Sequence, residues 1–116
     1  GLFTAAVLTD ISNEEQTLQM AKTAAERFGR IDILMNNAAL SSRGTITRAP
    51  FYELDGAEGD RVIDVNLKGA FLCCRAVFPY MRTQGAGKII NVASPNFLIP
   101  GPRMPIILPV KAASSA

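Results

Sequence analysis

Three short apolar runs alternate with two stretches of helical periodicity, and that order constrains the fold more than any other feature of the chain. The runs are residues 3–9 (FTAAVLT), 31–35 (IDILM) and 88–93 (KIINVA). Each is short enough for a buried strand and ends in polar residues: Asp10, Asn36-Asn37 and Ser94. Strand, helix, strand, helix, strand is the alternation of a parallel α/β sheet, doubly wound, with three strands expected. Ligands on such sheets bind beyond the carboxyl ends of the strands. Three polar strand ends together therefore point to a site, although any one alone reads as a strand meeting its loop.

The first helix is expected to open on Ser12, with Glu15 reaching back to complete a capping box. Leu18, Ala21, Ala25 and Phe28 follow at helical spacing, and Gly29 is the stop signal. The second helix is expected to start between Asp55 and Asp60 and to run strongly from Arg61. It is apolar nearly all round from Gly69 to Phe78, which predicts burial against more than one surface. Pro79 should kink it, and Gly85-Ala86-Gly87 is the exit turn. Beyond Ser94 the chain changes character. Pro95, Pro100, Pro102, Pro105 and Pro109 leave little room for regular structure.

Composition removes several kinds of chemistry. The 116 residues contain no histidine, so no Ser–His–Asp triad or His-based acid–base pair can form, and no metal site is expected. Lys plus Arg is 12 against 10 for Asp plus Glu, without a basic run, so no nucleic-acid partner is expected. No stretch reaches the ~18 apolar residues of a membrane span, and no leader pattern is present, so no membrane partner is expected. Cys73 and Cys74 are neighbours that point about 100° apart on a helix, which disfavours a bridge between them and suits a reducing cytoplasm. The chain starts on Gly1, almost inside a strand pattern, and reads as a fragment.

Three segments resemble the short-chain dehydrogenase/reductase family. Gly29 to Ala39 (GRIDILMNNAA) is similar to its Asn-Asn-Ala-Gly segment, with Ala39 in place of Gly. Val62 to Phe71 (VIDVNLKGAF) looks like the helix with the active-site Asn, and Gly87 to Ser94 (GKIINVAS) like the strand that delivers the catalytic Ser. The resemblance runs from Ala5 to Ser94, in order and at family-like spacing. It implies a partial NAD(P)-binding Rossmann domain over residues 1–116, without the N-terminal Gly-rich βα units and the C-terminal substrate region. It further implies NAD or NADP as cofactor and a small-molecule alcohol or carbonyl substrate. Asp10 and Ile11 would lie near the adenine. Asn37, Ala38 and Ala39 would flank the adenosine ribose. Asn66 would hold a water in the proton relay, and Ser94 would hydrogen-bond the substrate oxygen. Pairing through the helix matching Arg61–Met81 is also implied, hence a homo-oligomer when complete. Read singly, Asn37, Asn66 and Ser94 have plainer roles: a strand-end cap, a partner for a neighbouring backbone group, a turn start.

Two departures stand against this resemblance. The family places a Tyr four residues before its Lys, where the ammonium favours phenolate. Lys111 matches that Lys and would also hold the nicotinamide ribose, but Ile107 occupies the Tyr position. Ile107 also lies thirteen residues after Ser94, a second offset at which Tyr is often found. One permitted choice of codons for residues 106–116, read after restoring one base upstream, spells His-Tyr-Ser-Ala-Ser-Lys-Gly-Gly-Ile-Lys-Arg. Its Tyr falls at position 107 and its Lys at 111, so a one-base deletion in the coding DNA is the expected origin of Ile107. The second departure is the Gly-rich turn: no glycine here lies between a first strand and a first helix in the family's spacing. The chain as written is thus expected to have little or no turnover. A non-catalytic dinucleotide-binding or scaffolding α/β protein is the alternative, and a flavodoxin-like binding domain a third.

Overall fold

The computed structural model describes residues 3–40, 47 and 49–92. Helix α1 covers Glu14–Phe28, strand β1 Ile33–Asn36, helix α2 Gly56–Ile63, helix α3 Gly69–Gln84 and strand β2 Lys88–Asn91. A 3-10 turn, Phe51–Glu53, precedes α2, and a π-helical stretch, Asp64–Lys68, joins α2 to α3. The α/β class and the parallel pairing stand as expected. β1 lies beside β2 in register Ile33↔Lys88 to Asn36↔Asn91.

Residues 3–9 do not form the first expected strand. They run unpaired, with Phe3 90% exposed. A strand is stable only when a neighbour takes its backbone hydrogen bonds. The one sheet among the described residues has two strands, and neither pairs with this segment. The family resemblance makes residues 3–9 and β1 the third and fourth strands of the doubly wound order 3-2-1-4-5-6, which do not border each other, so the failure of 3–9 to pair with β1 agrees with that order.

The start of α1 differs from the expected capping box. Asp10 Oδ1 accepts from both the backbone N–H (3.0 Å) and the hydroxyl (2.7 Å) of Ser12, which commits Ser12 to a turn. Asn13 becomes the N-cap, its Oδ1 accepting from Gln16 N at 3.0 Å. The far end is as read: Gly29 adopts φ 83° and donates its N–H to Ala25 O. Nothing lies within 4 Å of a Cβ placed there, so backbone strain alone sets the cost of a side chain. Gly29→Ala should lower stability by about 1 kcal/mol, and a urea or thermal melt would show it.

The core lies between α1 and α3 and under one face of the sheet. Ala21, Ile31, Ala76, Val77 and Met81 form its centre, with Leu34 and Ile89 packed against it. The small residues Ala21 and Ala76 line the seam between the helices. Thr17, fully buried, satisfies its hydroxyl on Glu14 O at 2.7 Å. α3 buries Gly69, Leu72, Cys73, Ala76, Val77 and Met81, a stripe at spacings of three and four. α3 meets two surfaces, α1 and β1, as the apolarity of 69–78 predicts, but it is not covered all round: Phe71 (62%) and Phe78 (42%) stay exposed on the helix. Pro79 sits inside α3, which runs on to Gln84 before Gly85 ends it at φ 76°.

Candidate functional site

Parallel pairing brings the ends of β1 and β2 to the same edge of the sheet. Each four-residue strand finishes in asparagine, and the two are register partners. Asn36 Nδ2 donates to Asn91 Oδ1 at 2.8 Å, and the same amide nitrogen lies 3.5 Å from Cys74 Sγ on α3. Val92 N–H continues the ladder onto Asn36 O at 3.1 Å. Beyond Asn36 the chain leaves the sheet, and Asn37, Ala38 and Ala39 are exposed.

That exit segment is fastened from the helix side. Leu40 N–H donates to Asn66 Oδ1 at 2.7 Å, and Asn66 Nδ2 donates back to Leu40 O at 3.0 Å. A primary amide thus satisfies both backbone groups of one residue, as a neighbouring strand would. Asn66 lies in the π stretch, where Gly69 N–H bonds Asp64 O five residues back. Both ends of the amide are engaged with Leu40, which is the plainer of the two roles its sequence allowed. Its oxygen keeps one lone pair and its nitrogen one hydrogen for a further partner.

Asp10 and Ile11 approach the same edge from α1. The half-buried Ile11 side chain packs on Gly69 so closely that an added Cβ would lie 2.7 Å from Cγ1 and Cδ1. Gly69 follows Asn66 by three residues, so the contacts of Ile11, Gly69, Asn66 and Leu40 form one chain. Asp10 is exposed. Its carboxyl is held below the ordinary range by the Ser12 hydroxyl and then the Ser12 N–H, both donating to the ionised form. The sign follows: this contribution is present above the unfolded pKa and fades as pH falls through the lowered one. Ser12→Ala should raise the Asp10 pKa toward 3.8, read by an NMR titration of its carboxyl carbon.

Ser94, Lys111 and Ile107 lie outside the described residues. Of the other sequence candidates, the edge gathers Ile11, Asn37, Ala38, Ala39 and Asn66, with Asp10 beside Ile11. Sequence reading did not single out Asn91, and it did not place Cys74 beside the strand ends. The signal for Asn91 was present: two apolar runs, ILM and KII, each closed by Asn, become a facing pair once the strands run parallel. Cys73 is buried, and burial, then the neighbouring Cys74, pushes its thiol up. Both cysteines are unbridged, as expected. Among the described residues no group of three His, Cys, Asp or Glu could hold a metal ion, and no helix is long and apolar enough to cross a membrane.

The profile of the family described as short chain dehydrogenase matches residues 3–114. The 2-(R)-hydroxypropyl-CoM dehydrogenase of Xanthobacter autotrophicus is 38% identical over 99 residues, covering 83% of this chain and 38% of the relative. The levodione reductase of Leifsonia aquatica is 40% identical over 87 residues, 75% of this chain and 31% of the relative. An NAD+-bound xylitol dehydrogenase superposes with a TM-score of 0.75 at 32% identity, over 84% of this chain and 36% of its own. ElxO with NADP bound gives 0.76 at 25% identity, over 86% and 39%. The chain therefore spans about a third of the length of the curated relatives it matches.

Proposed function

Because the chain belongs to the short-chain dehydrogenase family, we propose that it is the central part of an NAD(P)-dependent oxidoreductase that interconverts alcohol and carbonyl groups on a small molecule. The observation that carries this reading is the two-bond hold of Asn66 on Leu40, which fixes the exposed residues Asn37–Ala39 at the carboxyl edge of the parallel strands. Dinucleotides bind at that edge in doubly wound sheets. The residues present suit the adenosine half of such a cofactor. Ala38 and Ala39 bring no bulk, so a ribose can approach their backbone. Asp10 uses Oδ1 on Ser12, leaving Oδ2 as an ionised acceptor for an adenine amino group.

The bound nicotinamide would supply or receive the hydride. On this reading Ser94 holds and polarises the substrate oxygen, Lys111 holds the nicotinamide ribose, and the free capacity of the Asn66 amide bears a relay water. NAD+ in the xylitol dehydrogenase and NADP in ElxO are both compatible with it. The complete enzyme is proposed to be cytoplasmic and a homo-oligomer, with the exposed Phe71 and Phe78 face of α3 as its contact.

Ile107 favours a second reading. Isoleucine has no proton to exchange, and general acid–base catalysis is worth typically ~10²–10⁴ in rate. A chain that truly carries Ile107 would bind the dinucleotide without turning it over. Titration of NADH and NADPH, followed by the cofactor's own fluorescence, tests the common part of both readings. Saturable binding is expected; no binding of either would overturn them. Resequencing the coding DNA through the codons for Met104 to Ala116 separates the two. An additional base before Ile106 restores the Tyr, and a confirmed frame leaves the binding protein.

A further inference from the structure

A second amide in this fold repeats the geometry of Asn66. Ile31 N–H donates to Gln84 Oε1 at 2.9 Å, and Gln84 Nε2 donates to Ile31 O at 2.7 Å. Ile31 stands just before β1 and Leu40 just after it. Gln84 is the last residue of α3, and Asn66 lies in the π stretch before α3. The two ties therefore bracket the segment 31–40, which contains β1, and the helical stretch 66–84, with the two running antiparallel.

The lengths agree. Asn66 to Gln84 is eighteen residues, about 27 Å along a helix at ~1.5 Å per residue. Ile31 to Leu40 is nine residues, at most about 30 Å of extended chain at ~3.3 Å per residue. A segment held at both ends by a rod of nearly its own length cannot slide along that rod.

We propose that Gln84 is a positioning residue and that it acts with Asn66 as a two-point clamp setting the axial register of β1 against α3. The proposal rests on the dinucleotide reading in one respect only: the element so placed is Asn37–Ala39, the segment assigned to the adenosine ribose. Through β1, Gln84 influences that segment from the far edge of the sheet. Loss of one tie loosens the segment at the other tie as well, whereas two independent contacts so far apart would act additively.

The test is amide hydrogen exchange on the full chain at low micromolar concentration, resolved by residue with mass spectrometry, beside an NADH titration. In the unaltered chain the amides of Ile31 and Leu40 should exchange more slowly than those of the exposed Arg30 and Ala39. Gln84→Met keeps the length of the side chain and removes both bonds. It should speed exchange at Ile31 and also, by threefold or more, at Leu40. Gln84→Glu keeps the acceptor for Ile31 N–H and should fall between; it also serves if the Met variant does not fold. Faster exchange at Ile31 with Leu40 unchanged, or no protection of either amide in the unaltered chain, overturns the clamp. If the exchange coupling is found but no NADH binds, the clamp stands and the dinucleotide reading falls.

Discussion

Met81→Ala should cost about 2–5 kcal/mol, the range for truncating a buried methionine. A domain of ordinary stability has about 5–15 kcal/mol in all, so this loss takes a large share of it. Met81 is 4% exposed and belongs to the cluster of Ala21, Ile31, Ala76 and Val77. It also fills the space over Gly87. A Cβ on that glycine would overlap both Met81 Cγ and Sδ. Gly87→Ala alone should thus be destabilising by about 1–3 kcal/mol, the usual cost of overpacking. The double variant should lose less than the sum of the singles, because the new methyl enters space that the truncation opens. Urea denaturation of the four proteins gives the comparison directly. Strict additivity would mean that the two residues do not share a cavity.

The second large effect concerns the whole chain. Expressed alone, the 116 residues should bind a hydrophobic dye and associate as concentration rises, while still unfolding cooperatively when dilute. Ile33 (59%) and Met35 (58%) stand exposed on one face of the sheet, whose opposite face carries Leu34 and Ile89 into the core. Ile90 and Val92 are also exposed at the same sheet, and Phe71 and Phe78 on α3. Apolar surface of this extent on a monomer marks an aggregation or contact face. Replacing Ile33, Met35 and Ile90 by Thr, a β-branched residue suited to strands, should reduce dye binding severalfold while leaving the helical circular dichroism unchanged. An unaltered chain that binds no dye and stays monomeric as concentration rises would contradict the expectation.

What could be read from the sequence was what local periodicity encodes. α1, β1, the α2–α3 region and β2 all lie where the apolar spacing placed them, and Gly29 and Gly85 end their helices where a left-handed residue is needed. Residues 3–9 failed because strand formation is not local: the apolar run is real, but its partner must come from elsewhere. Ser12 failed as a cap because Asp10, two residues earlier, competes for it, and pattern alone does not rank two nearby acceptors. The all-round apolarity of α3 correctly marked surface that wants cover, but could not say how much of that cover this segment supplies. Within the site, the identity of Asn66 was legible and its partner was not. Its bonds span 26 residues, and those of Gln84 span 53, distances over which sequence spacing carries no contact information.

The adjacent thiols give this molecule a clock of its own. Cys73 is buried, and its pKa is raised, while Cys74 is only half-covered. Only a thiolate reached by reagent is alkylated, so Cys73 reacts when the packing around α3 opens and not before. Its rate of modification, set against that of its neighbour in the same sample, measures how often the core breathes. Any ligand that stabilises the closed form will slow that rate by the factor by which it binds, with no label engineered into the protein.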